Sequence, residues 1–273
     1  MKFGIEEAKA ISTHVFAHLV ISDPKEFDEF VKYLSPADIK LITKLAISPL
    51  DRKGNVDQLL QGILSKAKSL FQKTAVGAGF TSYFTELNRN RFNYSDLDFV
   101  IYPVTPQAHA TDSRTLIDNL AAQTDAVRSA MKFVGGKNVH VGPVLLKPGG
   151  FDERQSTPLV AGWMVASIKY LSEGGATSIT MFQSHGKAGY FEDESKVFPV
   201  YDALSNILKL NPAKVITSSC NEPLLVSSLL VESDRHEKYL VLINHTDSKR
   251  PVTIGGSIQT LADHEIRIIP FDK

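Results

Sequence analysis

Over roughly the first 210 residues, short apolar runs rich in β-branched residues alternate with amphipathic runs at helical spacing. That alternation limits the fold more than any other feature of the chain. The strand-like runs are "THVFAHLVIS" (13–22), "DIKLITKLAIS" (38–48), "TAVGAGF" (74–80), "LDFVIYPV" (97–104), "NVHVGPVLL" (138–146) and "ATSITMFQ" (176–183). The helical runs are 23–34, 55–72, 112–134, 157–175 and 198–210. In the first of these Asp23 stands at a cap position, Pro24 opens the helix, and Phe27, Phe30, Val31 and Leu34 recur at helical spacing. Asp112 or Ser113 suits the start of the third, and Thr157 the start of the fourth.

Strands that alternate with helices build parallel β-α units, and right-handed crossovers put the helices on one side of a closing sheet. The fold class is therefore α/β, a (β/α) TIM-type barrel. A closed barrel has eight strands, and six are recognisable, so a partial barrel over 1–212 is expected. After Pro212 the pattern changes to short alternating runs separated by turn residues. A small antiparallel, β-sandwich-like domain is expected over 213–273, with "NHTDSKRP" (244–251) as a hairpin turn.

Lys+Arg and Asp+Glu both number 30, so no charge excess points to nucleic acid or to an anionic membrane. The single cysteine, Cys220, rules out an intrachain disulfide framework. No apolar run approaches the ~20 residues of a membrane span, and "MKFGIEEAKAIS" carries acids where a signal peptide would be apolar. A cytoplasmic protein is expected. The sequence holds no P-loop, no G-x-G-x-x-G, no H-E-x-x-H and no G-x-S-x-G elbow, and the five histidines at 14, 18, 109, 140 and 185, of eight in the chain, lack tight metal-ligand spacing. Neither cofactor nor metal is expected. The exposed strand edges of an incomplete barrel predict a homo-oligomer.

In a β/α barrel the functional side chains come from the loops after the strands. The first two strands are followed by "DPKE" and "SPLDRKG", ordinary helix-start chemistry. The third is followed by "FTSYFTELNRNR". There Glu86 is a candidate proton donor or acceptor, with Asn88 and Arg89 near enough in sequence to orient it or to hold a substrate oxygen. The competing reading is a loop salt bridge. After the fourth strand come Gln107 and His109; after the fifth, Lys147, suited to a developing oxyanion; after the sixth, Gln183 and His185. Tyr83 and Tyr102 could line a sugar-like ligand or pack in the core. His140, inside an apolar strand, reads as a core histidine.

The ordered blocks "GAGFTSYFTELNRNRF", "VIYPVTPQAHATD", "VHVGPVLLKP", "SIKYLSEGGATSITMFQSHGKAGYF" and "FPVYDAL" resemble the C-terminal half of the D-apionate lactonase family. The resemblance covers roughly 74–204, and "YLVLINHTDSKRPVTI" and "HEIRIIPFD" look like that family's closing β module. It implies a barrel hydrolase that opens a sugar-derived lactone to its acid, with a small carbohydrate-derived substrate and an architecture shared with the large glycosidase clan. Glu86, Asn88, Arg89, Gln107, His109 and Lys147 carry over as site positions.

Two departures stand out. Where the family is expected to hold a glutamate in a Tyr-Glu-Thr-Thr-Gly-like block, this chain has "FQSHG", so Gln183 replaces the acid. Glutamine transfers no proton. The alternatives that follow are a glycoside hydrolase that recruits Glu192, Asp193 or Glu194 as its second carboxylate, or a non-catalytic carbohydrate-binding relative. The family also implies an N-terminal β domain and further barrel strands, so a truncated, excised or diverged short form is expected.

Overall fold

The computed structural model describes residues 2–51 and 54–271. Met1, Asp272, Lys273 and part of "SPLDRKG" (Arg52 and Lys53) lie outside the described residues. One sheet has six strands in chain order, β1 (Val15–Ile21), β2 (Ile42–Pro49), β3 (Ala75–Gly79), β4 (Phe99–Val104), β5 (Asn138–Val144) and β6 (Ser178–Met181). The registers of β1 with β2, β2 with β3 and β3 with β4 are parallel. The expected six β-α units of a TIM-type barrel are thus present. The chain divides into two compact units, Met1–Pro103 with Ser129–Gly142, and Val104–Arg128 with Pro143–Lys273.

In the first unit α1 (Lys2–Ala10) precedes β1; its apolar content is low and the sequence pattern does not announce it. α2 (Pro24–Lys32) starts at a full capping box, with the Asp23 side chain accepting from the first-turn backbone N–H of Lys25 and the Glu26 carboxylate accepting from the Asp23 N–H. The expected strand 38–48 starts late. Ser35 and Asp38 form a second capping box, Pro36 opens the turn, and α3 (Pro36–Leu41) consumes the first residues of that run before β2 begins. α4 (Val56–Leu70) buries Val56, Leu59, Leu60, Ile63 and Ala67, the expected stripe.

Strand alternation gives the sheet two distinct faces here. Leu45, Ile47, Val76, Ala78, Val100 and Tyr102 alternate out of phase with a second cluster of Phe16, Ala46, Phe99 and Ile101. Gly77 is required in that cluster: a Cβ there would sit 2.4 Å from the Phe99 ring. Phe99 in turn stacks on His140 at 4.1 Å between centroids. His140 is buried and Nδ1 has no partner among the described residues; burial, with Lys44 nearby, lowers its pKa to about 4. It is a core histidine, but an incompletely satisfied one.

After β3 comes α5 (Phe84–Arg89). The run 112–134 is two helices, α6 (Ser113–Asp118) and α7 (Leu120–Phe133), separated at Asn119, whose side-chain amide donates to the Pro106 carbonyl. Asp112 caps α6.

In the second unit α8 (Pro158–Gly174) is apolar on nearly every side and is accordingly buried, packed against β6, α9 (Pro199–Leu208) and the terminal strands. Thr157 opens it without a side-chain cap, because its hydroxyl donates to Arg154 O instead. The expected strand 176–183 stops at Met181: Phe182 has φ +51°, and Gln183 begins a separate small sheet of β7 (Gln183–His185), β8 (Gly189–Asp193) and β9 (Lys196–Val197).

The terminal strands β10 (Pro212–Ile216), β11 (Val226–Ser233), β12 (Lys238–Asn244) and β15 (Ile266–Pro270) form an antiparallel sheet in the order β10-β11-β12-β15. β13 (Arg250–Ile254) and β14 (Ser257–Leu261) pair only with each other. "NHTDSKRP" therefore turns the chain from one sheet to another and is not a hairpin turn. Asn244 organises that turn, donating to Ser248 O and Ala262 O and accepting from Thr246. Leu230, Leu240, Leu242 and Leu261 form a core shared by the two sheets. Among the described residues no helix is long and apolar enough to cross a membrane.

Candidate functional site

Glu86 sits in the first turn of α5, where an acid suits the helix dipole, and Leu87, fully buried, anchors the helix. The Glu86 side chain is about one-fifth exposed (21%). Its Oε2 accepts from the Asn90 amide at 2.8 Å, and Oε1 lies 3.9 Å from an Arg89 guanidinium nitrogen. One oxygen is thus held by a neutral donor. The other faces a weak, solvent-screened ion pair, since Arg89 is exposed.

Asn88 is occupied: its Oδ1 accepts from Arg91 at 3.1 Å, and the Arg91 guanidinium lies over Phe133. Tyr83 is half-buried at the start of α5. Tyr102 is fully buried, edge-on to Phe84 at 5.6 Å, with its hydroxyl unpartnered among the described residues and its pKa pushed up by burial. Its ring is spent on packing between β4 and α5.

In the second unit Gln107 is only 6% exposed. Its Nε2 donates to Leu146 O at 2.9 Å and to Asp152 Oδ2 at 2.8 Å. Asp152 also accepts three bonds from Arg154: from its backbone N–H at 2.9 Å, from Nε at 2.8 Å and from a terminal nitrogen at 2.7 Å. Arg154 reaches on to Ser113 Oγ at 3.1 Å. Arg154 first, with help from Gln107, holds the Asp152 carboxyl well below the usual carboxylate range against the opposing effect of burial. Asp152 is therefore a permanent anion that orients its neighbours and does not donate protons at neutral pH.

His109 and Lys147 stand exposed on the loops after β4 and β5. Gln183 and His185 are exposed on β7; His185 is edge-on to Phe191, with Ser184 Oγ 3.1 Å from Nδ1. Of the three acids weighed as a second catalytic carboxylate, two are engaged locally, Glu192 with Lys196 and Asp193 with the backbone and hydroxyl of Ser195, and Glu194 is exposed. Among the described residues no group of three or more His, Cys, Asp or Glu side chains could hold a metal.

Asn90, Asp152 and Arg154 are the residues of this region that sequence reasoning passed over. Asn90 follows Glu86 at i+4, a spacing at which helical side chains meet, and that signal was available. Besides Arg154, Asp152 has a partner 45 residues earlier, Gln107, which no local pattern reveals.

The fold is that of (β/α)-barrel proteins. The GH51 arabinofuranosidase of Xanthomonas axonopodis pv. citri superposes with a TM-score of 0.59 at 11% identity, covering 100% of this chain and 73% of that one. The family 51 α-L-arabinofuranosidase AbfB of Bifidobacterium longum superposes with a TM-score of 0.61 at 10% identity, covering 100% and 74%. At such identities the likeness is one of fold alone.

The family model described as "D-apionate lactonase, TIM barrel domain" matches residues 7–150 and 148–212, so the chain belongs to the D-apionate lactonase TIM-barrel family. The D-apionate lactonase of Brucella anthropi is 33% identical over 84 residues, which are 31% of this chain and 14% of that protein. The matched stretch thus spans a small part of that relative's length.

Proposed function

We propose that the chain is a carbohydrate-directed hydrolase that opens a sugar-derived lactone, of the D-apionolactone kind, to its hydroxy acid. The observation that carries this reading is the family match over the whole β/α part, within which Glu86 lies on a short helix directly after β3 with one oxygen anchored by Asn90.

The Glu86 carboxylate takes a proton from water as the water oxygen bonds to the lactone carbonyl carbon, and the carbonyl electron pair moves onto oxygen. On collapse the ring C–O bond breaks, and Glu86 returns the proton to the leaving alkoxide. His109 and Lys147 are N–H donors of the type that stabilises the oxyanion. A single carboxylate suffices for this chemistry. Cleavage of a glycoside needs two, and Gln183 stands where the obvious second acid is expected, while Glu192 and Asp193 are engaged in their own turn.

The test is acid release from D-apionolactone. Glu86→Gln is expected to lower turnover by about 10²–10⁴-fold with unchanged thermal unfolding. Near-normal hydrolysis by that variant would remove Glu86 from the mechanism. No hydrolysis by the unaltered protein would remove the lactonase reading.

A further inference from the structure

A cleft of about 860 Å³ opens in the second unit, and every residue lining it belongs to that unit. Three loops of the terminal strands form one side: 221–225 before β11, 245–247 after β12, and His264 before β15. Arg114, Ile117 and Asp118 of α6 line the other. Backbone hydrogen bonds tie the loops together. The Leu225 carbonyl accepts from His245 N–H at 2.8 Å, the Thr246 carbonyl from His264 N–H at 3.0 Å, and the Glu222 carbonyl from the Leu225 and Val226 N–H groups at 2.9 Å each. His264 holds φ +48° in that arrangement, a conformation that a residue other than glycine keeps only where its surroundings impose it. Loops fixed on a rigid scaffold are where binding groups concentrate. This network occupies the backbone and leaves the side chains of Asn221, Glu222 and Asp247 without a partner among the described residues. Leu224, 50% exposed, lines the same cleft.

The lining narrows the ligand. Asp118, Glu222 and Asp247 outnumber Arg114, which disfavours an anion. Among the described residues no three His, Cys, Asp or Glu side chains are grouped to hold a metal. The carboxylates only accept, the guanidinium only donates and the Asn221 amide does both. Hydroxyls spread around a ring meet all three kinds of group, because each both donates and accepts. Ile117, Leu159, Leu224 and Leu225 offer the apolar surface that the C–H faces of such a ring cover. We infer that this cleft is a second binding site, which takes a neutral saccharide. It uses none of the residues assigned to the lactone chemistry, so it goes beyond that reading and stands apart from it.

The test is an amide chemical-shift titration of the whole protein with xylotriose, cellotriose, maltotriose and arabinotriose in turn. At least one is expected to give saturable shifts centred on 221–225 and 245–247. D-glucuronate carries a charge, and 2-methoxytetrahydropyran keeps the ring without the hydroxyls; both are expected to bind at least about tenfold more weakly. Glu222→Ala and Asp247→Ala alter exposed side chains. Each is expected to weaken the trisaccharide at least about fivefold, with thermal unfolding and turnover of D-apionolactone unchanged. Saturable binding that neither variant alters overturns the inference. So does the absence of saturable shifts with all four trisaccharides, or tighter binding of glucuronate or of the hydroxyl-free ring. If the unaltered protein hydrolyses no lactone, the lactonase reading fails and the shifts still decide the cleft.

Discussion

The Asn90 amide donates to Glu86 Oε2 at 2.8 Å, one helical turn along from the carboxylate it holds. This bond leaves Oε1 as the oxygen able to face water. A carboxylate acting on a water molecule must hold its angle as well as its charge.

Asn90→Ala should therefore lower kcat for lactone opening about tenfold while KM changes little, since ground-state binding does not depend on the angle of that oxygen. Steady-state kinetics on D-apionolactone separate the two constants. A change confined to KM would show that Asn90 touches substrate and does not orient Glu86.

The second unit hides an ion pair. Lys169 and Glu173 meet at 2.6 Å with side chains 4% and 8% exposed, and both tie to Ser218, Lys169 through its carbonyl and Glu173 through its N–H. Glu173→Ala strands a buried ammonium and should cost roughly 3 kcal/mol, read from the urea midpoint. Replacing both partners with Met and Leu should cost much less, because no charge is then left unpaired.

Two glycines of β3 set how closely β4 approaches. A Cβ at Gly79 would lie 1.8 Å from the Ile101 carbonyl oxygen, a backbone atom with no room to yield. Gly79→Ala should destabilise by about 3 kcal/mol or prevent soluble folding. Gly77→Ala meets the Phe99 ring at 2.4 Å, and a partial rescue by Phe99→Leu would identify that ring as the obstacle.

Burial lowers the pKa of His18, His140 and His245 to about 4 each. Between pH 6.5 and 4 the unfolded chain binds protons that the folded chain refuses. Stability therefore rises with pH across that window and is lost as pH falls through it, at about 1.4 kcal/mol per pH unit for each histidine at most. Denaturant unfolding from pH 7 to 4.5 measures the slope. His140→Phe, which keeps the stack on Phe99, should remove one histidine's share.

Much of the fold was legible before any coordinates. The six strands, the helices after them and the switch to antiparallel strands beyond Pro212 follow from periodicity, because burial on two faces or one writes itself into every second or every third-to-fourth residue. Three boundaries differ from the periodicity for local reasons. The Ser35–Asp38 capping box starts a helix inside an apolar run, the helical run 112–134 is interrupted at the single residue Asn119, and Phe182 leaves the sheet at positive φ.

By itself the sequence determined the order of units, the family blocks and the short list of side chains on the strand-end loops. It could not determine which of those side chains are already engaged. "KPGGFDERQ" reads as a polar loop, yet Asp152 within it is the anion on which Gln107 and Arg154 converge. Tyr102 reads equally as a sugar-stacking or a core residue, and its ring is buried against Phe84. Hydrogen-bond partners 39 or 45 residues apart are set by which strands lie side by side. That pairing is a property of the assembled sheet and of no local stretch of chain, so only the tertiary structure decided it.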